Sequence, residues 1–97
     1  MKIVTKTSLK KLLRDELALS DSAAQASIEL IFDEIMRATA IGDEVKITGF
    51  GKFSRILRQP STARNPRTGV RVSLPARYTP RFAAGKTFRD RVDALSR

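Results

Sequence analysis

The sequence predicts an α+β fold with two helices, a small three-stranded antiparallel sheet that carries a protruding hairpin arm, and a short C-terminal helix. Apolar residues follow helical spacing up to about residue 41 and alternate with polar ones after Glu44, as in strands. Helical spacing returns near the C-terminus, where Phe88, Val92 and Leu95 recur at i, i+4 and i+7. The length of 97 residues fits a single domain, 1–97.

The first predicted helix covers residues 8–19, with Thr7 or Ser8 as its N-cap. Its apolar residues recur at i, i+3, i+4 and i+8 and therefore share one face of the helix. They are Leu9, Leu12, Leu13 and Leu17. Charged residues fill the opposite face, so the helix is expected to pack through its leucines alone.

The second predicted helix covers residues 22–41 and stops at Gly42, with Ser22 opening a capping box or Ser20 as the competing N-cap. Its apolar residues form two adjacent rows. One row holds Ala24, Ile28, Ile31, Ile35 and Ala38, and the other holds Phe32 and Met36. An arc this wide exceeds what one small sheet covers. We therefore expect a second chain to cover part of it, with a central helix of a monomer as the alternative.

Strands are predicted at residues 45–48, 52–58 and 70–74, the first two joined by a tight turn at 49–51. Residues 59–69 contain no large apolar side chain and end in the turn sequence NPRTG. This pattern predicts a long hairpin that projects from the body, with an ordinary disordered loop as the alternative. The predicted parts of the domain are a helical part at 1–43, sheet and arm at 44–82 with the arm at about 55–74, and a C-terminal helix at 83–97.

The formal charge of +9 is unevenly distributed. Residues 1–44 contain six basic and eight acidic side chains, whereas residues 45–97 contain thirteen basic and two acidic ones. From Val45 to Arg89 the chain has eleven Lys and Arg and no Asp or Glu. A solvated surface normally mixes both signs. The distribution predicts a polyanion as partner, with a ribosomal-type protein or a merely soluble basic face as alternatives.

Five arginines lie along or near the predicted arm: Arg55, Arg58, Arg64, Arg67 and Arg71. Guanidinium groups suit phosphates and narrow, electronegative minor grooves. A proline at the tip of a ribbon can insert between stacked base pairs and kink a duplex. Pro66 holds the corresponding position in this sequence, and the alternative is that it only shapes the turn.

The composition argues against an enzyme, a metal protein or a membrane protein. Without His or Cys, the chain lacks the commonest general base, a thiolate nucleophile and cysteine zinc ligands. The helical carboxylate pairs Asp15-Glu16 and Asp33-Glu34 point about 100° apart and make poor catalytic or metal pairs. No phosphate-binding loop, membrane-length apolar run or signal peptide is recognised. We therefore expect no cofactor, no metal and no small-molecule substrate, and a cytoplasmic location.

Several segments together form a specific pattern. They are GFGKF at 49–53, RNPRTG at 64–69, LPA at 74–76, PRF at 80–82, GK at 85–86 and RDRV at 89–92. With this pattern the chain resembles the bacterial histone-like HU/IHF family from about Thr7 to Val92. Departures from the family's usual residues occur at Pro60, Ser61, Ala63 and the pair Ala83-Ala84.

The resemblance implies an intertwined dimer, with a helical body under a saddle of sheet and two β-ribbon arms that embrace double-stranded DNA through the minor groove. It implies that Pro66 intercalates and that Lys86 and amides near Gly85 bind phosphate. The DNA-binding residues expected in this sequence are Lys6, Lys52, Arg55, Arg58, Arg64, Asn65, Pro66, Arg67, Thr68, Arg71, Arg77, Gly85 and Lys86. Phe50 and Phe53 are expected in the core and saddle.

We therefore expect an architectural, nucleoid-associated protein that bends and compacts double-stranded DNA, mostly by phosphate and shape readout, with a homodimer favoured. The first alternative is a sequence-preferring subunit of a heterodimer resembling integration host factor. The second alternative, from a different class, is a structural protein that binds ribosomal RNA.

Overall fold

The computed structural model describes residues 1–95 and divides into two compact units, residues 1–37 and the chain from residue 38 onward. The helices and strands in chain order are α1 (Lys6–Leu17), α2 (Asp21–Ala40), β1 (Val45–Ile47), β2 (Gly51–Arg58), β3 (Ser61–Arg64), β4 (Arg71–Leu74), β5 (Arg77–Ala84) and α3 (Lys86–Leu95). The α+β class and the three helices are as predicted.

Helix α1 begins two residues earlier than predicted, because Thr5 and not Thr7 or Ser8 is its N-cap. The Ser8 amide donates to Thr5 Oγ1 at 3.3 Å, and the Thr5 amide donates to Ser8 Oγ at 2.7 Å. This reciprocal pair is a capping box, which satisfies two otherwise unpaired donors. The helix ends at Leu17, where Ala18 turns into the left-handed region with φ 53°.

Helix α2 begins at Asp21, and Ser20 is its N-cap because Ser20 Oγ accepts from the Ala23 amide at 3.1 Å. The alternative with Ser22 as N-cap is therefore wrong. The predicted stop at Gly42 is confirmed. Gly42 has φ 100°, its amide donates to the Thr39 carbonyl at 3.1 Å, and the Asp43 amide donates to the Ala38 carbonyl at 3.0 Å. These two bonds make a Schellman motif.

In the unit of residues 1–37, ion pairs join α1 to the start of α2. Asp21 pairs with Lys10 at 3.3 Å and with Arg14 at 2.9 Å. The apolar sides of the helices border an open cavity of about 210 Å³, lined by Leu9, Leu12, Leu13, Ile28, Ile31 and Phe32. Leu12 is 54% exposed and Ile31 is 57% exposed. The described chain therefore leaves much of this apolar surface uncovered.

Two exposed carboxylates in the helices have lowered pKa values. The hydrogen bond from Lys11 lowers the pKa of Asp15, and the hydrogen bond from Arg37 lowers the pKa of Glu34. A lowered pKa means that each pair adds stability at neutral pH, which is lost as the pH falls through the lowered value. Because both carboxylates are exposed, the contribution is small.

The three-stranded sheet has the antiparallel order β1-β2-β5, and β3 pairs with β4 in a separate ribbon. The prediction that residues 70–74 form the third sheet strand is therefore wrong. The third strand is β5, where the sequence predicted no strand. Pro80 is tolerated because β5 lies at an edge of this sheet, where a missing N–H need not break a ladder.

The hairpin keeps one register from the sheet into the ribbon. Gly51 pairs with Ala84 and Arg58 with Arg77 in the sheet. In the ribbon Ser61 pairs with Leu74, and Arg64 pairs with Arg71. The two strands have equal numbers of residues between the sheet and the ribbon, so the register does not change. Pro60 therefore stands opposite Pro75 by count, and neither residue has an N–H to donate. The ladder is interrupted there without a bulge, so the ribbon starts at Ser61, beyond the predicted start near 55.

Four phenylalanines form the aromatic cluster of the second unit: Phe50, Phe53, Phe82 and Phe88. The ring centroids of Phe53 and Phe82 are 4.8 Å apart, and those of Phe50 and Phe88 are 5.3 Å apart. These contacts place α3 against the sheet. Phe50 and Phe53 thus pack in this cluster, although Phe50 stays 40% exposed.

Gly51→Ala is expected to lower the free energy of unfolding by about 1–3 kcal/mol, the usual cost of overpacking. A Cβ at Gly51 would lie 2.6 Å from both the Ala83 carbonyl oxygen and a Phe82 ring carbon. Urea unfolding at fixed protein concentration measures the loss. Gly85→Ala is the control, because its Cβ would lie 3.4 Å from its nearest neighbour. Equal losses in the two variants would contradict the packing described.

Candidate nucleic-acid interface

The register sorts basic side chains onto one face of the hairpin. Cross-strand partners share a face and successive residues alternate between faces. Lys52 pairs with Lys46 and with Ala83, and Arg58 pairs with Arg77. Because the register is the same in the sheet and in the ribbon, the alternation of faces continues along β3 and β4. We call the resulting set the cationic face; its members are Lys46, Lys52, Arg58, Arg64, Arg71, Arg77 and Arg81.

The opposite face is apolar along almost its whole length. In the sheet it carries Phe53 opposite Phe82 and Leu57 opposite Tyr78. In the ribbon it carries Ala63, Val72 and Leu74. Arg55 is the one basic residue of β2 on this apolar face. The two faces therefore differ in chemistry, so a polyanion is attracted to the cationic face.

Three like-charged pairs stand directly opposite each other across the strands. They are Lys46 with Lys52, Arg58 with Arg77, and Arg64 with Arg71. Successive pairs are six residues apart along the hairpin, which is about 20 Å at the rise of an extended strand. Like charges directly opposite destabilise a sheet, and an anion between them removes the repulsion. The pairs therefore form a row of sites suited to phosphate.

Little in the described chain neutralises these pairs. Glu44 lies 3.6 Å from Lys52, and this is the one ion pair that the structure gives to a residue of the cationic face within residues 1–95. No acidic residue occurs between Val45 and Arg89. The positive field over the hairpin is therefore left for an outside partner.

Arg55 has a structural role that the sequence did not predict. Its Nη1 donates to the Ala40 carbonyl at 3.1 Å, and its guanidinium lies 3.9 Å from the centroid of the Tyr78 ring. Gly42 leaves room for it, because a Cβ there would lie 3.0 Å from Arg55 Nη2. Arg55 thus ties the C-terminal end of α2 to the sheet. We propose this role in place of the expected phosphate contact.

The ribbon ends in a loop held by its own hydrogen bonds. The Asn65 amide donates to the Val70 carbonyl at 2.9 Å, and the Gly69 amide, at φ 71°, donates to the Asn65 carbonyl at 2.8 Å. Thr68 Oγ1 accepts from the Val70 amide at 3.3 Å. Of the two interpretations of residues 59–69, the structure has the paired hairpin. Pro66 lies in this loop and is exposed.

The expected phosphate clamp near α3 is only partly available. The Gly85 amide donates to the Phe50 carbonyl at 2.9 Å, so this one amide is not free for a phosphate, and the expectation for the amides that follow it in α3 stays a prediction. Lys86 Nζ is exposed but lies 2.6 Å from Asp90 Oδ2. A phosphate at Lys86 has to compete with Asp90. Lys6 is the exposed first residue of α1 and belongs to the other unit.

Two residues of the cationic face, Lys46 and Arg81, were not predicted from the sequence. Lys46 alternates with Val45 and Ile47, so the strand pattern already placed it opposite the apolar residues. Arg81 was not placed because no strand was predicted at residues 77–84. Its pairing position, opposite Ser54, is what brings it to the cationic face.

Within residues 1–95, no three acidic side chains gather in a way that could hold a metal ion. Over the same residues, none of the helices has the length and hydrophobicity required to cross a bilayer.

Comparison with known proteins agrees with the geometry. The family model described as bacterial DNA-binding protein matches residues 4–93. Integration host factor subunit beta from Thioalkalivibrio sulfidiphilus is 40% identical over 93 residues, covering 95% of this chain and 97% of that protein. The same subunit from Idiomarina loihiensis is also 40% identical over 93 residues, covering 96% and 100%.

Solved structures show the same fold. A cocrystal structure of Anabaena HU with DNA has a TM-score of 0.86 and 31% identity, over 92% of this chain and 97% of that one. An HU variant from Thermotoga maritima, at 20% identity and a TM-score of 0.66, covers 92% and 99% and supports the fold alone. The fold and the family match thus define the class, an architectural DNA-binding protein and not an enzyme. The chain belongs to the bacterial DNA-binding protein family of histone-like HU and integration host factor proteins.

Substitutions at Arg55 and Arg58 test the assignment of the two faces. Arg55→Met is expected to lower the free energy of unfolding by about 1 kcal/mol, because it removes the bond to Ala40, and to leave the salt dependence of DNA binding unchanged. Arg58→Met is expected to raise stability slightly, because it removes the repulsion from Arg77, and to reduce the slope of log affinity against log salt by about 0.9 for each phosphate that the variant no longer neutralises.

Urea unfolding measures the first effect, and fluorescence anisotropy of a labelled duplex at several salt concentrations measures the second. The reverse pattern, with Arg55→Met flattening the salt slope and Arg58→Met unfolding the protein, would contradict the face assignment.

Proposed function

We propose that this protein binds double-stranded DNA through the cationic face and the ribbon, and that it bends and compacts the duplex with little base-specific contact. The observation that carries the proposal is the row of like-charged pairs on one face, ending at an exposed Pro66. Phosphates between these pairs relieve their repulsion and release condensed counterions. The protein acts, on this account, on chromosomal DNA in the cytoplasm, in the nucleoid.

Bending of the duplex depends on Pro66 at the end of the ribbon. A two-stranded ribbon follows the minor groove, and its rigid apolar Pro66 inserts between two base pairs and kinks the duplex. Unstacking costs a few kcal/mol per step, and smooth bending costs about 1–6 kcal/mol. The longer contact between the bent duplex and the cationic face offsets this cost. Arg64, Arg67 and Arg71 hold the flanking phosphates or groove walls.

A second chain completes the body. Leu30 is 73% exposed and Met36 is 61% exposed on α2, and within residues 1–95 no large side chain is fully buried. So much uncovered apolar surface on a small chain favours association. We propose an intertwined dimer of two identical chains, with one ribbon from each chain on the DNA.

A heterodimer is the second candidate. The observation that favours it is the 40% identity to integration host factor beta subunits, whose name denotes one subunit of an assembly. In that case a homologous chain takes the place of the second copy, and binding prefers particular sites. The family match and the similarity to HU bound to DNA favour DNA over ribosomal RNA as the partner.

Pro66→Ala is expected to reduce bending much more than affinity, because it removes the wedge and leaves the phosphate contacts in place. Energy transfer between dyes at the two ends of a short duplex measures the bend, and anisotropy measures the affinity. Pro60→Ala is the matched control, since it changes a proline at the base of the ribbon and should keep the bend. An unchanged bend in Pro66→Ala would exclude the wedge role.

The mass in solution tests the assembly. Light scattering on the purified chain is expected to give about twice 10.8 kDa, because a homodimer covers the exposed apolar residues of α2. A chain that is monomeric alone and dimeric only with a homologous partner would support the heterodimer. A chain that stays monomeric on DNA would contradict both forms of the proposal.

A further inference from the structure

The last pair of the ribbon makes only one of its two backbone hydrogen bonds. By the register of β3 and β4, Asn65 stands opposite Val70. In a hydrogen-bonded antiparallel pair, each residue donates its N–H to the carbonyl of the other. The Asn65 amide does donate to the Val70 carbonyl at 2.9 Å, but the Asn65 carbonyl accepts from the Gly69 amide, at 2.8 Å, and not from Val70.

The side chain of Thr68 accepts the hydrogen bond that this pair leaves unmade. The Val70 amide donates to Thr68 Oγ1 at 3.3 Å, and within residues 1–95 this is its one acceptor. A threonine hydroxyl that accepts from an amide two residues later forms a local turn, which competes with strand pairing. Thr68 therefore keeps the Val70 N–H away from the Asn65 carbonyl and leaves that carbonyl to Gly69.

Two closures of the loop at residues 66–69 are thus in competition. In the closure seen here, the Asn65 carbonyl is bonded to Gly69. In the other, it would be bonded to Val70, its partner in register. Without the Thr68 hydroxyl the Val70 amide has no acceptor, so it is expected to turn to the Asn65 carbonyl and to displace Gly69.

The closure seen here holds Pro66 at the end of the ribbon. Pro66 follows Asn65 directly, and its ring fixes φ near −65°. The Arg67 amide donates to Asn65 Oδ1 at 2.8 Å, which closes a turn around Pro66. Asn65 is therefore held through its amide, its carbonyl and its side chain. The direction in which Pro66 projects from the ribbon depends on these bonds.

We propose that Thr68 is a positioning residue, which acts through Val70 and Asn65 to hold Pro66 in the orientation that enters DNA. The inference rests on the proposed insertion of Pro66. It gives Thr68 a role inside the loop in place of the expected contact with DNA. The end of the ribbon is then formed before DNA binds, so less conformational entropy is lost on binding.

Thr68→Val and Thr68→Ser test this role. Valine has the shape of threonine but no acceptor, whereas serine keeps the hydroxyl. Thr68→Val is expected to lower the bend toward that of Pro66→Ala and to retain the affinity, because the phosphate contacts stay in place. Thr68→Ser should retain both. Energy transfer between the ends of a short duplex at saturating protein measures the bend, and anisotropy measures the affinity.

Amide exchange in the DNA-free protein gives a readout that does not depend on binding. In Thr68→Val the Gly69 amide is expected to exchange faster with solvent, measured by NMR, because it loses the Asn65 carbonyl to Val70. Thr62→Val is the matched control, since Thr62 Oγ1 makes no hydrogen bond within residues 1–95. It should leave the Gly69 exchange and the bend unchanged. Urea unfolding is expected to be the same in all variants.

Pro66→Ala completes the test. Because Thr68 acts through Pro66, Thr68→Val should remove no further bend from a chain that already carries Pro66→Ala. A Thr68→Val chain with the natural bend would overturn the role of Thr68, and so would a Thr68→Ser chain that loses the bend. Binding about fivefold weaker with the natural bend, the effect of one lost hydrogen bond to DNA, would also overturn it. Failure of the natural chain to bend the duplex would instead overturn the proposed function.

Discussion

The single register of the long hairpin is the constraint on which the rest of the structure depends. It runs from Gly51 opposite Ala84 to Arg64 opposite Arg71 without adding or omitting a residue. A slip of one residue would move every side chain to the other face. The same count that packs Phe53 against Phe82 therefore also gathers the basic residues on the opposite side. The strand pairing that forms the aromatic cluster therefore also assembles the cationic face.

The electrostatic consequence is a surface that is unfavourable for the free protein. Basic residues face each other at three levels of the hairpin, and the acidic residues of the chain lie almost entirely in residues 1–44. The repulsion is tolerated because the side chains are long and solvated, and it is relieved when a polyanion binds. On the proposed function, stability given up on this face is recovered as affinity for DNA.

Features that depend on neighbouring residues could be predicted from the sequence, whereas the pairing of distant strands could not. The helices, the stop at Gly42 and the turn chemistry around Pro66 depend on neighbours within a few residues. The third strand, β5, was missed because it is defined by its pairing with β2, which lies far from it along the chain. Arg55 and Arg81 show the same limit. Both are arginines in the stretch without acidic residues, so composition does not distinguish them. The register places Arg55 on the apolar face against Tyr78 and Arg81 on the cationic face.

Arginine footprinting tests most directly the claim that DNA lies against the cationic face. The protein is treated with phenylglyoxal with and without a saturating duplex, and the modification of each arginine is read by mass spectrometry. The account predicts protection of Arg58, Arg64, Arg71, Arg77 and Arg81, with Arg14 and Arg37 of the helical unit reacting equally in both samples. Protection of Arg14 and Arg37 without protection of the hairpin arginines would contradict it.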